Sequence, residues 1–262
     1  MGNDKVNTLN VKAVEKYYEK WTDEYIDSFG EIFQAMATDS NEELMDYISG
    51  VIGIKDGMKI LDAGCGICGP AIFIAKKYKV NIDAITISQK QLTYSLENIN
   101  KNDLGSKVSV IKGDFHHLKK YYSSNSFDVV CYLESLCHSP EPQKAIESLN
   151  NVIKPGGLLY IKDLFRGPDI PYKTELNDYP INAINENFSL KIQTVGNIID
   201  ILGKNGYKIM LCQRPKFNEV FDKGNAFTAK HNIKLLSGQE GPWVDNGLVF
   251  LNWLEILALK YY

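Results

Sequence analysis

The sequence predicts an α/β protein whose core is a doubly wound sheet of seven strands, most of them parallel. Short apolar runs, typical of buried strands, alternate with helical segments between residues 58 and 165. A glycine-rich turn follows the first of these strands and leads directly into a helix. Such alternation favours right-handed parallel crossovers, and sheets of this kind bind ligands beyond the carboxyl ends of their strands.

Each element is predicted from its local pattern. The strands are expected at residues 59–63, 81–87, 108–111, 127–132, 158–162, 207–213 and 248–259. Helices are expected at residues 71–77, 89–100, 142–152 and 194–205. Apolar and aromatic residues recur at spacings near three and four in residues 11–54, which predicts N-terminal helices. We therefore expect a helical segment or lid at 1–54 and a core at 55–262, with insertions at 166–192 and 216–242 that cap the substrate.

Composition narrows the functional classes. Lys and Arg number 29 and Asp and Glu 32, a net charge of −3, which argues against a nucleic-acid-binding protein. The sequence has no apolar run of the length that a membrane span needs, so no membrane span is expected. Five irregularly spaced cysteines and the lack of a signal-peptide pattern predict a cytoplasmic location. Cys65 and Cys68 have the spacing of a metal or redox pair, but no second pair completes a zinc site, so no metal is expected. The oligomeric state stays open, a homo-oligomer included.

The glycine turn is the strongest local signal. Gly64, Gly66 and Gly69 allow a tight turn and close approach of the backbone to a ligand. Dinucleotide-binding domains use the same spacing, so a nicotinamide-dependent oxidoreductase is one alternative. Asp62 ends the strand two residues earlier, where its carboxylate can accept a hydrogen bond from an ammonium group. The second strand lacks the ribose-binding acid at its end, since Asp83 lies earlier within it.

Residues 60–69 resemble the first motif of the class I S-adenosylmethionine-dependent methyltransferases, which have a Rossmann-like fold. Residues 84–91 resemble the second motif of the branch that contains sterol C-methyltransferases, prenyl diphosphate C-methyltransferases and cyclopropane synthases. Residues 112–115 are similar to the third motif, and 155–157 match the turn before the fifth strand. The resemblance covers residues 58–165 and implies S-adenosylmethionine as the cofactor and a small, hydrophobic molecule as the methyl acceptor.

The same resemblance implies roles for individual residues. Thr86 and Gln91 would lie at the ribose, and Asp114 and Phe115 at the adenine. His116 and its neighbour His117 are expected in a solvated loop. With Tyr18 added from the aromatic N-terminal segment, the expected cofactor-binding set comprises Tyr18, Asp62, Gly64, Cys65, Gly66, Gly69, Thr86, Ile87, Gln91, Asp114 and Phe115.

Residues 132–140 resemble the signature of sterol C-methyltransferases, a Glu followed four residues later by His and then by a small residue and Pro. The likeness implies that Glu134 removes a proton after methylation of an isoprenoid or another alkene. His138 is suited to take a proton from an alcohol or phenol, so O- or N-methylation of a natural product is an alternative. Tyr25 is expected at the substrate, because aromatic faces stabilise a cation. A non-catalytic cofactor-binding scaffold is the last alternative.

Two features depart from the family pattern. Gln34 stands where the family often has a His. Beyond the neighbourhoods of Arg166 with Lys173 and of Arg214 with Lys216, no dense basic cluster predicts a clamp for a diphosphate.

Overall fold

The computed structural model of the 262-residue chain describes residues 9–166, 179–218, 244–245, 248–249 and 251–261. The strands are β1 Lys59–Ala63, β2 Asn81–Thr86, β3 Val108–Lys112, β4 Phe127–Leu133, β5 Ile153–Arg166, β6 Tyr207–Gln213, β7 Val244–Asp245, β8 Leu248–Val249 and β9 Leu251–Lys260. The helices are α1 Val11–Phe29, α2 Asn41–Ile52, α3 Gly69–Lys77, α4 Gln89–Lys101, α5 Pro142–Leu149, α6 Tyr179–Phe188 and α7 Val195–Lys204. Two short 3₁₀ helices span Phe115–Lys120 and Leu136–His138.

The main sheet has seven strands in the order β3-β2-β1-β4-β5-β9-β6, which confirms the predicted fold. The first five strands pair in parallel, whereas β9 is antiparallel to both of its neighbours. β5 is longer than the predicted strand at 158–162, because β9 pairs with it continuously from Leu158 to Arg166. The predicted last strand at 248–259 is wrong in its first residues, since Leu248–Val249 pairs with β7 in a separate ribbon.

Both faces of the sheet are covered, so successive strand residues enter different cores. Ile60 packs in an apolar cluster that contains buried residues of α2 and α3. Its neighbour Leu61 packs in a second cluster that contains buried residues of α5 and α7. A strand covered on both faces needs apolar residues at every position, which explains the nearly unbroken apolar run of β4.

The N-terminal helices predicted within residues 11–54 are α1 and α2. Asn10 caps α1 by accepting from the Ala13 amide, and Ser40 caps α2 by accepting from the Glu43 amide. Residues 30–37, here named the cover segment, follow α1 and contact the glycine turn at Gly69 and the end of β4 at Glu134. α1 is attached to the core by polar contacts: Glu19 accepts hydrogen bonds from the backbone at the start of α4.

Parts of the predicted insertions lie outside the described residues. The insertion expected at 166–192 contains α6, and its residues 167–178 are not described. The insertion expected at 216–242 lies outside the described residues from position 219 onward. Every helix in the described part of the chain is too short or too polar to cross a membrane.

The cover segment crosses the glycine turn in direct contact with it. A Cβ atom built on Gly69 would lie 1.8 Å from the carbonyl oxygen of Glu31. We therefore expect Gly69→Ala to lower the free energy of unfolding by about 1–3 kcal/mol, because the backbone of the cover segment has to move away. Urea unfolding measures the change.

Gly50 provides the matched control, since it lies in α2 with open space around its Cα. Gly50→Ala is expected to raise the free energy of unfolding by about 0.5–1 kcal/mol through the higher helix propensity of Ala. Equal effects of the two substitutions would contradict the close packing of the cover segment on Gly69.

Candidate active site

A cleft of about 830 Å³, counting space open to solvent, lies beyond the carboxyl ends of β1, β2 and β4. The strand order reverses between β1 and β4, and the cleft lies at this position, which is the usual ligand site in such sheets. The residues that line it are Val11, Val14, Tyr18, Glu31, Phe33, Gln34, Asp62, Gly64, Cys65, Gly66, Ile67, Pro70, Thr86, Ile87, Gln91, Gly113, Asp114, Phe115, His116, Leu133, Glu134, Ser135, His138 and Pro140.

The structure brings every residue of the predicted cofactor-binding set to this cleft except Gly69. Gly69 is absent from the lining, and its lack of a side chain instead makes room for the Glu31 carbonyl. Gly64 fulfils the predicted role of a tight turn, with a φ of +94° and an amide that donates to the Ile85 carbonyl. A Cβ atom there would lie 2.5 Å from the Cβ of Ser135, so only glycine fits.

Asp62 carries a buried carboxylate at the end of β1. The residue is 4% exposed, and its Oδ2 atom has no hydrogen-bond partner among the described residues. Burial raises the pKa of Asp62 to about 7. A buried acceptor without a donor is rare in folded proteins, so this oxygen is suited to a ligand that carries N–H groups.

Thr86 and Gln91 meet at the end of β2. The Thr86 hydroxyl donates to Gln91 Oε1 over 2.6 Å, which fixes the orientation of the amide. The Gln91 Nε2 atom is buried and has no partner in the described part of the chain, so it can donate to a ligand hydroxyl. Asp83 lies outside the cleft lining and pairs with Lys59 over 2.9 Å, so it does not serve as the ribose acid of a dinucleotide site.

Asp114 is held by both histidines that follow it. Its Oδ1 atom contacts His116 Nδ1 at 2.5 Å, and its Oδ2 atom contacts His117 Nδ1 at 3.1 Å. Burial alone would raise the pKa of Asp114, but the hydrogen bonds from the two histidines lower it to about 2. The expected solvated loop is wrong for His116, which is buried and contacts the Ser139 hydroxyl with its other ring nitrogen at 2.7 Å.

A second cavity of about 640 Å³, counting open space, adjoins the cleft and is named the aromatic cavity here. Its lining is mostly apolar and includes the predicted substrate residue Tyr25. Four residues line both spaces, so the cleft and the aromatic cavity meet at Tyr18, Phe33, Glu134 and His138. The residues that line the aromatic cavity are Tyr18, Tyr25, Phe29, Phe33, Ala35, Glu134, Cys137, His138, Leu164, Ile184, Phe188, Leu190 and Trp253.

Glu134 directly follows β4, at the junction of the two spaces. Its φ of +54° is unusual for a residue with a side chain, and such strain is concentrated at functional sites. One carboxylate oxygen accepts from Lys162 Nζ at 2.5 Å and the other from the Ala35 amide at 2.6 Å. Burial raises the pKa of Glu134, although Lys162 and the Ala35 amide oppose the shift.

Lys162 is a site residue that the sequence prediction missed. Its side chain is fully buried in β5, and its ammonium donates to Glu134, to Gln34 Oε1 at 2.8 Å and to the Met36 carbonyl at 2.7 Å. The available signal was a lysine inside an apolar strand, because a buried charge requires partners. Glu134 and Lys162 are also joined through the backbone, where the Glu134 amide donates to the Lys162 carbonyl.

His138 is buried beside Glu134 in the second 3₁₀ helix. Its Nδ1 atom lies 3.0 Å from the Ser189 carbonyl, which can only accept, so Nδ1 carries the proton. The Nε2 atom therefore accepts from the Tyr18 hydroxyl, 2.7 Å away. Burial lowers the pKa of His138 to about 4, so the ring is neutral near pH 7.

Cys65 and Cys68 are both buried free thiols, and Cys65 lines the cleft. Within the described ranges, no group of His, Cys, Asp and Glu side chains is arranged to hold a metal ion.

The fold and the cleft define a Rossmann-like α/β protein with its ligand site at the switch point of the sheet. Residues 54–225 match the methyltransferase domain family, and the chain belongs to this family. The match confirms the resemblance stated from the sequence motifs.

Curated relatives place the chain near the sterol C-methyltransferases. It is 36% identical to the sterol 24-C-methyltransferase erg6 of Aspergillus fumigatus over 43% of this chain and 29% of that protein. It is 32% identical to the cycloartenol-C-24-methyltransferase 1 of Oryza sativa over 55% of this chain and 43% of that protein. The chain thus spans less than half the length of these two relatives.

Solved structures share the fold along nearly the whole chain. The cyclase SpnF superposes with a TM-score of 0.74 at 19% identity, covering 96% of each chain. The geranyl diphosphate C-methyltransferase of Streptomyces coelicolor, solved with Mg²⁺, geranyl diphosphate and S-adenosyl-L-homocysteine, superposes with a TM-score of 0.71 at 12% identity. That match covers 95% of this chain and 97% of the other.

The buried ion pair predicts a specific pattern of stability. Lys162→Met leaves the Glu134 carboxylate buried without its cation, and we expect the free energy of unfolding to fall by about 3–5 kcal/mol. Adding Glu134→Gln removes the unpaired charge, so the double variant should recover most of that loss. Chemical denaturation measures the complete double-mutant cycle. A double variant whose loss of stability equals the sum of the two single losses would show that the two side chains are not energetically coupled.

Proposed function

We propose that this chain transfers the methyl group of S-adenosylmethionine to a small apolar molecule, with the donor in the cleft and the acceptor in the aromatic cavity. The observation that carries the proposal is the position of Glu134, whose side chain lines both spaces. Family membership supports methyl transfer as the reaction class. The nicotinamide alternative loses support because Asp83 lies outside the cleft lining.

The polar atoms of the cleft fit the proposed donor. The unpartnered Oδ2 of Asp62 would accept from the ammonium of the methionine moiety, and the unpartnered Nε2 of Gln91 would donate to a ribose hydroxyl. Asp114 and Phe115 would bind the adenine, with the carboxylate kept ionised by its histidine neighbours. Cys65, Gly66 and Ile87 would contact the donor as apolar or backbone surface of the cleft.

S-adenosylmethionine supplies an activated methyl group, so the protein's tasks are to position the reactants, exclude water and manage one proton. Tyr18 and Phe33 lie at the junction and would separate the reacting atoms from solvent. Glu134 would act as the base: its carboxylate takes a proton from the carbon beside the cationic carbon of the methylated alkene. The electrons of that C–H bond then form the new double bond.

The walls of the aromatic cavity favour an uncharged alkene as the acceptor. Aromatic faces such as that of Tyr25 stabilise a developing cation. Lysine and arginine are absent from the part of the cavity lining that the structure describes, and Lys162 behind it is already paired with Glu134. Among the described residues of this lining, a diphosphate would meet the Glu134 carboxylate and no unpaired lysine or arginine. This argues for an isoprenoid or other apolar alkene over a prenyl diphosphate.

Methylation of oxygen or nitrogen is the second candidate, and the position of His138 at the junction favours it. A base for an alcohol or a phenol needs a pKa near the working pH. The pKa of about 4 makes His138 a weak base, and the single lone pair of its Nε2 atom already accepts from Tyr18, whereas each oxygen of Glu134 has a second lone pair. C-methylation with Glu134 as the base is therefore the better-supported proposal.

Asp62 predicts a pH dependence of donor binding. Its carboxyl group is protonated below its pKa of about 7 and cannot then pair with an ammonium. We expect the affinity for S-adenosylhomocysteine to fall by up to about tenfold per pH unit as the pH decreases from about 7 to 5.5. Isothermal titration calorimetry at several pH values measures this slope.

Asp62→Asn is the matched variant, because it keeps the shape of the side chain without the titrating group. It should bind S-adenosylhomocysteine weakly and with little pH dependence over the same interval. A flat profile for the unmodified protein would contradict the assignment of Asp62 to the donor's ammonium.

Glu134→Gln tests the proposed base. Loss of a general base typically costs about 10²–10⁴-fold in rate, so we expect kcat to fall at least about 100-fold. Binding of S-adenosylhomocysteine should persist, because the substituted amide oxygen can still accept from Lys162, while its NH₂ group faces the Ala35 amide, which can only donate. Radiolabelled methyl transfer to a panel that runs from cycloartenol to geranyl diphosphate measures the rate, and product analysis locates the new methyl group. Glu147→Gln, on the exposed face of α5, is the control; turnover of Glu134→Gln equal to that of the control would refute the role.

A further inference from the structure

Gln34 has a free hydrogen-bond donor in the cleft. It belongs to the cover segment, is 1% exposed and lines the cleft. Its Oε1 atom accepts from Lys162 Nζ at 2.8 Å. An ammonium can only donate, so this contact fixes which end of the amide is oxygen. The Nε2 atom is left buried without a hydrogen-bond partner among the described residues.

A buried amide nitrogen without an acceptor is costly, so it is suited to an acceptor that arrives with a ligand. The proposed donor has a carboxylate beside the ammonium that Asp62 would bind. A carboxylate needs N–H or O–H donors, and the described lining of the cleft includes no lysine or arginine. The Gln34 amide fits this requirement, since it offers N–H groups without adding a charge.

We propose that Gln34 binds the carboxylate of the methyl donor through Nε2, and that Lys162 is the positioning residue that orients the Gln34 amide for this contact. The inference rests on the proposed function, because it assumes that the donor occupies the cleft. The cover segment would then bind the carboxylate of the donor, while the glycine turn and the strand ends bind its other groups.

Lys162 links this contact to the proposed base. The three N–H groups of its ammonium match three acceptors: Gln34 Oε1, the Met36 carbonyl and Glu134 Oε1. The Ala35 amide, next to Gln34, donates to the other oxygen of Glu134. Donor binding on Gln34 therefore stabilises the same arrangement of the cover segment that holds Glu134 at the junction.

Two ligands that differ in the amino-acid group test the proposed contact separately from the rest of the cleft. S-adenosylhomocysteine contains the amino-acid carboxylate, whereas 5′-methylthioadenosine has the same adenosine and sulfur without the amino-acid group. Gln34→Leu should weaken S-adenosylhomocysteine by about ten- to a hundredfold, the usual effect of losing a hydrogen bond to a charged group. The affinity for 5′-methylthioadenosine should stay within about twofold. Calorimetry measures both affinities.

The role of Lys162 is tested in the double variant Lys162→Met/Glu134→Gln, which contains no unpaired buried charge. It should lose affinity for S-adenosylhomocysteine selectively, as Gln34→Leu does, because the amide is no longer held. Lys260→Met is the matched control: Lys260 is also buried, but it bonds to Asn150 and to the Asn205 carbonyl at the opposite edge of the sheet. For Lys260→Met, the ratio of the affinities for S-adenosylhomocysteine and 5′-methylthioadenosine should equal that of the unmodified protein.

Thermal unfolding of each variant establishes that it is folded, and Gln34→Asn, with a shortened amide, replaces Gln34→Leu if that variant is unstable. Equal weakening of both ligands, or no weakening, in folded Gln34 variants would overturn the carboxylate contact. An unchanged ratio in the double variant would overturn the positioning role of Lys162. An unmodified protein that binds neither ligand would overturn the proposed function itself, and this inference with it.

Discussion

The buried positive charge of Lys162 needs hydrogen-bond acceptors around it, and this requirement determines the geometry where the cleft meets the aromatic cavity. A fully buried lysine requires several acceptors, because the interior solvates a charge poorly. One acceptor, Glu134, lies at the end of β4. The other two belong to the cover segment, which precedes Lys162 by more than 100 residues in the sequence. The same contacts hold the Glu134 carboxylate at the meeting point of two cavities, on a residue whose backbone is in the left-handed region.

The unpartnered polar atoms of the cleft indicate the function of this chain more specifically than its fold does. The cyclase SpnF shares the fold over nearly the whole chain, so the sheet alone does not specify methyl transfer. The cleft contains a carboxylate oxygen on Asp62 and amide nitrogens on Gln34 and Gln91 that lack partners in the described structure. Their types, one acceptor and two donors, match the ammonium, carboxylate and hydroxyl groups of an adenosyl amino acid. This match supports the proposed donor independently of the family resemblance.

The sequence predicted the central sheet and most of the cleft, because both depend on local patterns. The alternation of strands and helices set the fold, and the motifs around Gly64, Thr86 and Asp114 brought their residues to one edge of the sheet. Contacts between distant segments were not predictable in this way. The approach of Glu31 to Gly69 and the partners of Lys162 depend on where the cover segment crosses the sheet. The extension of β5 likewise depends on its pairing with β9.

The central claim is that donor and acceptor meet beside Glu134, and a crystal structure of the complex with S-adenosylhomocysteine tests it most directly. The account predicts the adenosine along the ends of β1 and β2, with the sulfur atom facing the aromatic cavity past Glu134. A ligand bound elsewhere, or one whose sulfur is separated from the aromatic cavity by protein, would contradict the account.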